Sequence, residues 1–404
     1  MIPSTIWTAV LLLSPLVHGA VLPKRDVGNP TIQAKLNHAY KPSPHALARA
    51  LRKWQVRLGT DAHDPTMKGV IANATATPTI YDVEWVTSVG FGTPAQWLPM
   101  DLDTGSGDVW VYSDLMAPKK LANRTYYSPE QSTTGTEVAN SSWTIQYGDG
   151  SYASGKIYTD TISLGGVDIK GAAVEAATTV SSSMLHDTKI SGVFGLPYKL
   201  TSQTYPQFPT VMQDLNPLLD QKVFTVDLRY QANSEYQFGY IDPTKYIGEI
   251  QYIPLVAEAG TWWTVEYSLY TFDTMNHWQA VNRQGIVDTG TSLLLLDEDI
   301  VSRYYNTVDG AVRNSHAGWV YPCHVDLPSL TLGFSDEAKY EIPGKYMKFA
   351  EEPEAGEGMC MGSLQETSVD FEYSILGDIF LKAVFAVFDY DKGAVGFAMK
   401  SIDL

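Results

Sequence analysis

The chain has 404 residues, 44% hydrophobic and 18% charged, enough for two domains with cores of their own. Its 28 Lys and Arg against 45 Asp and Glu leave a net charge of −17, which disfavours a nucleic-acid binder, a class that needs clustered basic charge. Two cysteines are too few for a disulfide scaffold or a cysteine-rich zinc protein, and 24 Tyr, 10 Trp and 32 Gly favour strands and turns over helical bundles.

Residues 1–19 carry no charged side chain, and Ala9 to Val17 is mostly apolar. With Val17-His18-Gly19 before a cut, the stretch reads as a secretory signal peptide, although the usual basic start is missing. The run is too short to span a membrane, and no later stretch reaches about 18 apolar residues. The tail Met399 to Leu404 has no hydrophobic anchor signal. A secreted, extracellular, monomeric protein with no membrane partner is expected, and acceptor sequons at Asn73, Asn123 and Asn140 fit that compartment.

Residues 20–66 hold eight basic side chains (Lys24, Arg25, Lys35, Lys41, Arg49, Arg52, Lys53, Arg57) against Asp26, Asp61 and Asp64, a charge of +5. From Met67 onward 20 basic side chains face 42 acids, for −22. A basic segment between a signal peptide and an acidic body reads as a removable prosegment, 20–67, held by attraction at neutral pH and loosened as carboxylates gain protons. Pro44 opens a periodic stretch that puts Leu47, Leu51 and Trp54 on one helical face.

From about Ile80 the pattern is mainly period two. Phe224 to Tyr230 alternates strictly, as a half-buried strand should. Asp297 is placed to cap a helix carrying Ile300, Val301, Tyr304, Tyr305 and Val308 on one face. Asp391-Lys392-Gly393 between apolar runs reads as a hairpin turn. The body is expected to be mainly β.

One pattern occurs twice. The apolar run Leu98 to Leu102 ends on Asp103-Thr104-Gly105-Ser106, and Gly285-Ile286-Val287 ends on Asp288-Thr289-Gly290-Thr291, 185 residues on. At average composition a single Asp-Thr-Gly appears in about a tenth of chains this long. Val193-Phe194-Gly195 then follows Asp103 by 92 residues, and Ile375-Leu376-Gly377 follows Asp288 by 89. The duplication implies two related β lobes, 68–243 and 244–404, whose pseudo-twofold axis brings the aspartate loops face to face. Two carboxylates about 3 Å apart share one proton, an effect for which pepsin is itself the standing example. Such a pair can activate a water and protonate a carbonyl without a covalent intermediate. Thr104, Ser106, Thr289 and Thr291 offer hydroxyls within the loops. Trp143, Ile145 and Tyr147 alternate into a Gly-rich turn, as one arm of a hairpin would.

These motifs, with Tyr147-Gly148-Asp149-Gly150-Ser151, Phe91 to Gln96, Phe238 to Asp242 and Gly377 to Phe380, resemble the pepsin-like aspartic endopeptidases over roughly residues 80–404. Val111 to Leu115 and Asp149 lean toward the fungal aspergillopepsin and penicillopepsin branch. The resemblance implies a bilobal acid-protease fold with a peptide-binding cleft, protein and peptide substrates, and no cofactor or metal. It implies a catalytic pair Asp103 and Asp288, and a substrate-covering flap with Tyr147, Gly148 and Asp149 opposite Thr289, Gly290 and Thr291. It also implies supporting roles for Thr104, Gly105, Ser106 and Trp110, with Trp110 meeting the Tyr147 hydroxyl, and a prosegment lysine (Lys35, Lys41, Lys53 or Lys68) that inhibits in cis. Cys323 and Cys360 are expected to form one disulfide, the default for a lone cysteine pair in a secreted protein and a feature of this lobe in the family; closing that loop stabilises by roughly 4 kcal/mol.

Other motifs fail on their chemistry. Gly150 to Ile157 nearly spells a phosphate-binding loop, but Ile157 cannot ligate magnesium, and the following residues read as strand. The histidines show no metal-ligand spacing, and no serine sits in a nucleophile elbow. A non-catalytic relative of the same fold would be expected to have lost an aspartate that this chain keeps.

Overall fold

The computed structural model describes residues 31–36, 47, 85–121, 124–147, 151–185, 188–232, 234–257, 260–275, 277–315, 317–367 and 371–401. The strands that position the site are β1 (Thr31–Leu36), β2 (Trp85–Phe91), β3 (Gln96–Asp103), β4 (Val109–Tyr112), β5 (Ser142–Gln146), β6 (Tyr152–Leu164), β7 (Val167–Val180) and β8 (Gly192–Gly195). They are followed by β9 (Val223–Asp227), β10 (Ser234–Phe238), β11 (Tyr246–Pro254), β12 (Thr264–Phe272), β13 (Gln279–Val287), β14 (Leu294–Leu296), β15 (Ser374–Leu376), β16 (Val384–Asp389) and β17 (Ala394–Lys400). The protein is mainly β, as its strand pattern predicts.

The duplication in the sequence is a duplication of strand pairing. In the first half β8 slots between β3 and β4, parallel to β3 (Leu102 beside Phe194, Asp103 beside Gly195) and antiparallel to β4. In the second half β15 slots between β13 and β14, parallel to β13 (Ile286 beside Ile375, Val287 beside Leu376) and antiparallel to β14. The first unit lies in a 15-stranded sheet, the second in a seven-stranded one. Each hydrophobic-hydrophobic-Gly segment is thus the strand laid beside an aspartate-bearing strand.

A part of the basic N-terminal segment, Thr31–Leu36, belongs to this framework. Strand β1 sits inside the larger sheet, antiparallel to β10 on one side and β2 on the other, with Ile32 opposite Tyr236 and buried. Leu47 is helical and buried among Ile286, Leu293, Leu295 and Val320. Leu51, Trp54 and residues 67–71 lie outside the described residues.

Three local expectations meet the structure differently. The turn at Asp391 to Gly393 joins β16 to β17, with Gly393 at φ 58°. The helix α2 (Glu298–Tyr305) buries Ile300, Val301, Tyr304 and Tyr305 as its periodicity requires, but Asp297 makes no side-chain cap bond and turns to Arg283 at 2.9 Å. Strand β9 is buried on both faces rather than half-buried, and it ends at Asp227. Its polar positions Thr225 and Asp227 are buried along with its apolar ones, and its edges pair with β10 and β16. Cys323 and Cys360 form the expected disulfide. Among the described residues no helix is long and apolar enough to cross a membrane.

Candidate active site

Each Asp-Thr-Gly loop leaves the end of an apolar strand and turns back at once. Gly105 N donates to Asp103 Oδ1 at 2.8 Å, and Gly290 N donates to Asp288 Oδ1 at 3.1 Å, so both carboxyls are held by the same local turn. A glycine lets the backbone fold this close to its own aspartate. Asp103 and Asp288 are almost wholly buried, at 2% and 0% exposure.

The two loops lock to each other. Thr104 N donates to Thr289 Oγ1 at 3.1 Å, and Thr289 N donates to Thr104 Oγ1 at 3.0 Å. Each hydroxyl then donates across the divide, Thr104 Oγ1 to Val287 O at 2.8 Å and Thr289 Oγ1 to Leu102 O at 2.6 Å. Four reciprocal bonds between residues 183 to 187 apart in sequence are the physical form of the pseudo-twofold axis. Every hydroxyl satisfies one donor and one acceptor, which a buried threonine needs.

Symmetry stops at the next residue. Thr291 Oγ1 donates to Asp288 Oδ2, whereas the Ser106 hydroxyl is buried with no hydrogen-bond partner and does not play the matching part expected of it. Behind each loop stands a glycine. A Cβ on Gly195 would lie 2.8 Å from Ser106 O, and one on Gly377 would lie 2.2 Å from Thr291 O and 2.3 Å from Leu293 O. These contacts explain why each hydrophobic pair must end on glycine.

Strands β5 and β6 form a hairpin, with Ile145 opposite Ala153 and Gln146 opposite Tyr152, and Tyr147 N donates to Ser151 O at 2.8 Å. Gly148 and Asp149 lie outside the described residues. Trp110 Nε1 donates to the Tyr147 hydroxyl at 2.7 Å. Trp110 is itself fixed by Trp143, ring centroids 6.1 Å apart, and by Tyr112 at 5.2 Å. Burial of the hydroxyl pushes the Tyr147 pKa well above the usual tyrosine range; the Trp110 N–H opposes this, and the Asp103 charge adds to it. Tyr147 therefore stays neutral throughout the acid and neutral range.

Motif reading passes over two buried acids beside this site, Asp108 and Glu175. Their only signal is a lone Glu within Gly171-Ala172-Ala173-Val174-Glu175-Ala176-Ala177, an acid in a strand of small and apolar residues. Among the sequons, Asn123 and Asn73 lie outside the described residues, and Asn140 sits exposed in a turn with φ 56°. Among the described residues no three His, Cys, Asp or Glu side chains are grouped to hold a metal.

The family model described as eukaryotic aspartyl protease matches residues 84–400. Endothiapepsin of Cryphonectria parasitica is 40% identical over 333 residues, 81% of this chain and 78% of that protein. Penicillopepsin-1 of Penicillium rubens is 37% identical over 366 residues, covering 89% and 88%. Aspergillopepsin-1 of Emericella nidulans is 35% identical over 357 residues, covering 88% and 87%.

Proposed function

The chain belongs to the eukaryotic aspartyl protease family and is an aspartic-type endopeptidase, a hydrolase, and from that premise we propose that Asp103 and Asp288 are the pair with which it cuts proteins at acid pH. The observation that carries this reading is the reciprocal bonding of Thr104 and Thr289, which holds two buried carboxyls in equivalent turns on either side of one axis. Two carboxyls that face each other across such an axis ionise one at a time, so the pair enters the reaction sharing a single proton. The charged carboxylate takes a proton from a water as its oxygen attacks the scissile carbonyl carbon, and the neutral carboxyl gives its proton to the carbonyl oxygen. In the tetrahedral diol one hydroxyl proton returns to a carboxylate and the other carboxyl protonates the amide nitrogen. The C–N bond then breaks to an acid and an amine, and the pair ends with one proton again. Tyr147, carried on the β5–β6 hairpin and anchored by Trp110, closes over the substrate.

The same reading makes the protein a secreted, monomeric zymogen with a signal peptide, 1–19, a prosegment, 20–67, and two lobes, 68–243 and 244–404. Support for the prosegment comes from its +5 charge against the −22 of the remainder, and from the burial of Ile32 and Leu47 against the body. One of Lys35, Lys41, Lys53 and Lys68 pairs with the dyad and blocks the water position. On acidification from about pH 7 to about pH 4, where carboxylates begin to gain protons, the purified full chain should lose this segment near Met67–Ile71 and gain proteolytic activity. A statine-type transition-state analogue should abolish that activity. Full activity of the uncut chain at neutral pH would contradict the inhibitory role.

Substrate preference is for large hydrophobic side chains flanking the cut, extended to Lys on its acyl side by Asp149 near the flap tip. A partly shielded carboxylate there pairs with a substrate ammonium. Changing Asp149 to Ser should lower kcat/KM after Lys by at least about tenfold, about 1.4 kcal/mol, and leave cleavage after Phe nearly unchanged. Equal losses on both peptides would reduce Asp149 to a turn residue.

A further inference from the structure

A second pair of carboxyls lies behind Trp110. Glu175 is in the middle of β7, directly beside Trp110 of β4 in parallel register, and Asp108 stands two residues before Trp110 at the end of the Asp103 loop. Adjacent paired residues project from the same face of a sheet, so Glu175 and Trp110 share one side. Asp108 and Glu175 are 3% and 2% exposed. Asp108 Oδ1 accepts the Gln203 N–H at 2.5 Å, and its backbone carbonyl accepts the Gly195 N–H at 2.9 Å. The Glu175 carboxyl accepts the Val109 N–H and meets the Asp108 carboxyl as a hydrogen-bonding neighbour. Glu175 Oε2 is buried and faces no donor. Another buried acid, Asp160, shows the alternative: its two oxygens take the Tyr127 hydroxyl, the Thr134 hydroxyl and the Thr161 N–H.

Two buried carboxyls in contact require a proton between them, because two charges there would repel in a weakly screened setting. Burial first, and the Asp108 charge second, hold the Glu175 carboxyl well above the usual carboxylate range, with the Val109 N–H opposing. No cation figures among the charges acting on Glu175, and buried Arg124 stacks its guanidinium over the Tyr112 ring at 3.8 Å, two residues beyond Trp110 on β4. Tyr147 and Asp103 approach from the cleft side, and half-buried Asp214 lies on the short helix α1 (Val211–Leu215) packed against β7. Lys156 of β6, one residue from the Ile157 that pairs with Glu175, turns its ammonium to Glu137 at 2.7 Å.

We propose that Asp108 and Glu175 share one proton as a positioning pair for Trp110, and that loss of this proton releases the Trp110–Tyr147 contact and lowers activity at rising pH, in addition to the loss set by the dyad's own proton. The chemistry stays with the dyad; the pair acts through the tryptophan that anchors the flap tyrosine. The proposal rests on the flap reading given above for Tyr147. Its sign follows from linkage. An acid whose folded pKa is raised keeps its full share of stability below its unfolded pKa and loses it as pH rises toward the folded value. The cost therefore begins at about pH 4.5 and grows through the neutral range.

Glu175→Gln replaces the shared proton with a permanent amide N–H that donates to Asp108 at any pH. At about pH 3.5 the variant should match the parent in kcat/KM within about twofold, and the ratio of variant to parent kcat/KM, in which the dyad's own titration cancels, should rise above about threefold by about pH 6. Its thermal midpoint should exceed the parent's by a margin that widens from about pH 4.5 to about pH 7. Asp108→Asn supplies the same N–H from the other side and should shift both readings the same way, which covers a failure of the first variant to fold. A midpoint difference independent of pH overturns the shared proton, and it is read without any peptidase assay, so it is separate from failure of the proposed function. A widening midpoint difference with a ratio of kcat/KM that does not change with pH overturns the positioning role.

Discussion

Asp288→Asn, and separately Asp103→Asn, should lower kcat on a peptide substrate by at least about a thousandfold, the scale expected when a positioned acid–base group is lost. An amide neither takes a proton from water nor gives one to a carbonyl. The fold should survive, because the geometry of each turn needs only an oxygen. Asn keeps Oδ1 as acceptor for Gly290 N or Gly105 N, bonded at 3.1 Å and 2.8 Å in the parent. At position 288 the amide nitrogen replaces Oδ2, and the Thr291 hydroxyl can rotate to accept from it instead of donating. The thermal midpoint of each variant should therefore stay within a few degrees of the parent's. Substantial turnover by purified Asp288→Asn would remove the dyad from the mechanism. A collapse of the fold would mean that the carboxylates are structural first.

The second large effect is on stability. Gly377→Ala places a methyl carbon 2.2 Å from Thr291 O and 2.3 Å from Leu293 O, both rigid backbone atoms of the segment that leaves Asp288. That segment must retreat by about an ångström, taking Thr291 and its bond to Asp288 with it. Overpacking a fixed core costs about 3 kcal/mol or more when backbone rather than a side chain must yield. Gly195→Ala meets its nearest atoms only at 2.8 to 2.9 Å, so its cost should be smaller. Chemical denaturation would rank the two, and equal midpoints would show that the loops give way more easily than their packing suggests. Gly377→Ala should also lose more activity than its folded fraction accounts for, since the displaced segment carries the donor to Asp288.

Much of this was legible because it was repeated. Two Asp-Thr-Gly loops and two hydrophobic-hydrophobic-Gly segments at nearly equal distances demand a symmetric pairing, and β3–β8 and β13–β15 supply it. The helix at Glu298–Tyr305 and the lone disulfide were equally plain, since each depends on residues close in sequence or on the absence of any other partner. Other features depend on what is laid over a strand, which its own period cannot report. Phe224 to Asp227 alternates like a half-buried strand, yet both its faces are covered. The short helix α1, with its Thr210 and Gln213 capping box, was hidden in a stretch interrupted by Pro206 and Pro209. Ser106 and Thr291 occupy matching places in the repeat, but only Thr291 reaches its aspartate. Glu175 gave almost no signal, because what makes it unusual is Asp108, 67 residues away.

The Thr104–Thr289 lock also has a mechanical side. Its four bonds, between 2.6 and 3.1 Å, tie the two aspartate loops to each other directly, and the pairing of β9 with β16 joins the two halves a second time within one sheet. A joint made at two separate places resists shear between the parts it joins. The relative position of Asp103 and Asp288 is therefore set by short bonds from their own neighbours, and a displacement elsewhere in the protein reaches the carboxyls only by stretching those bonds.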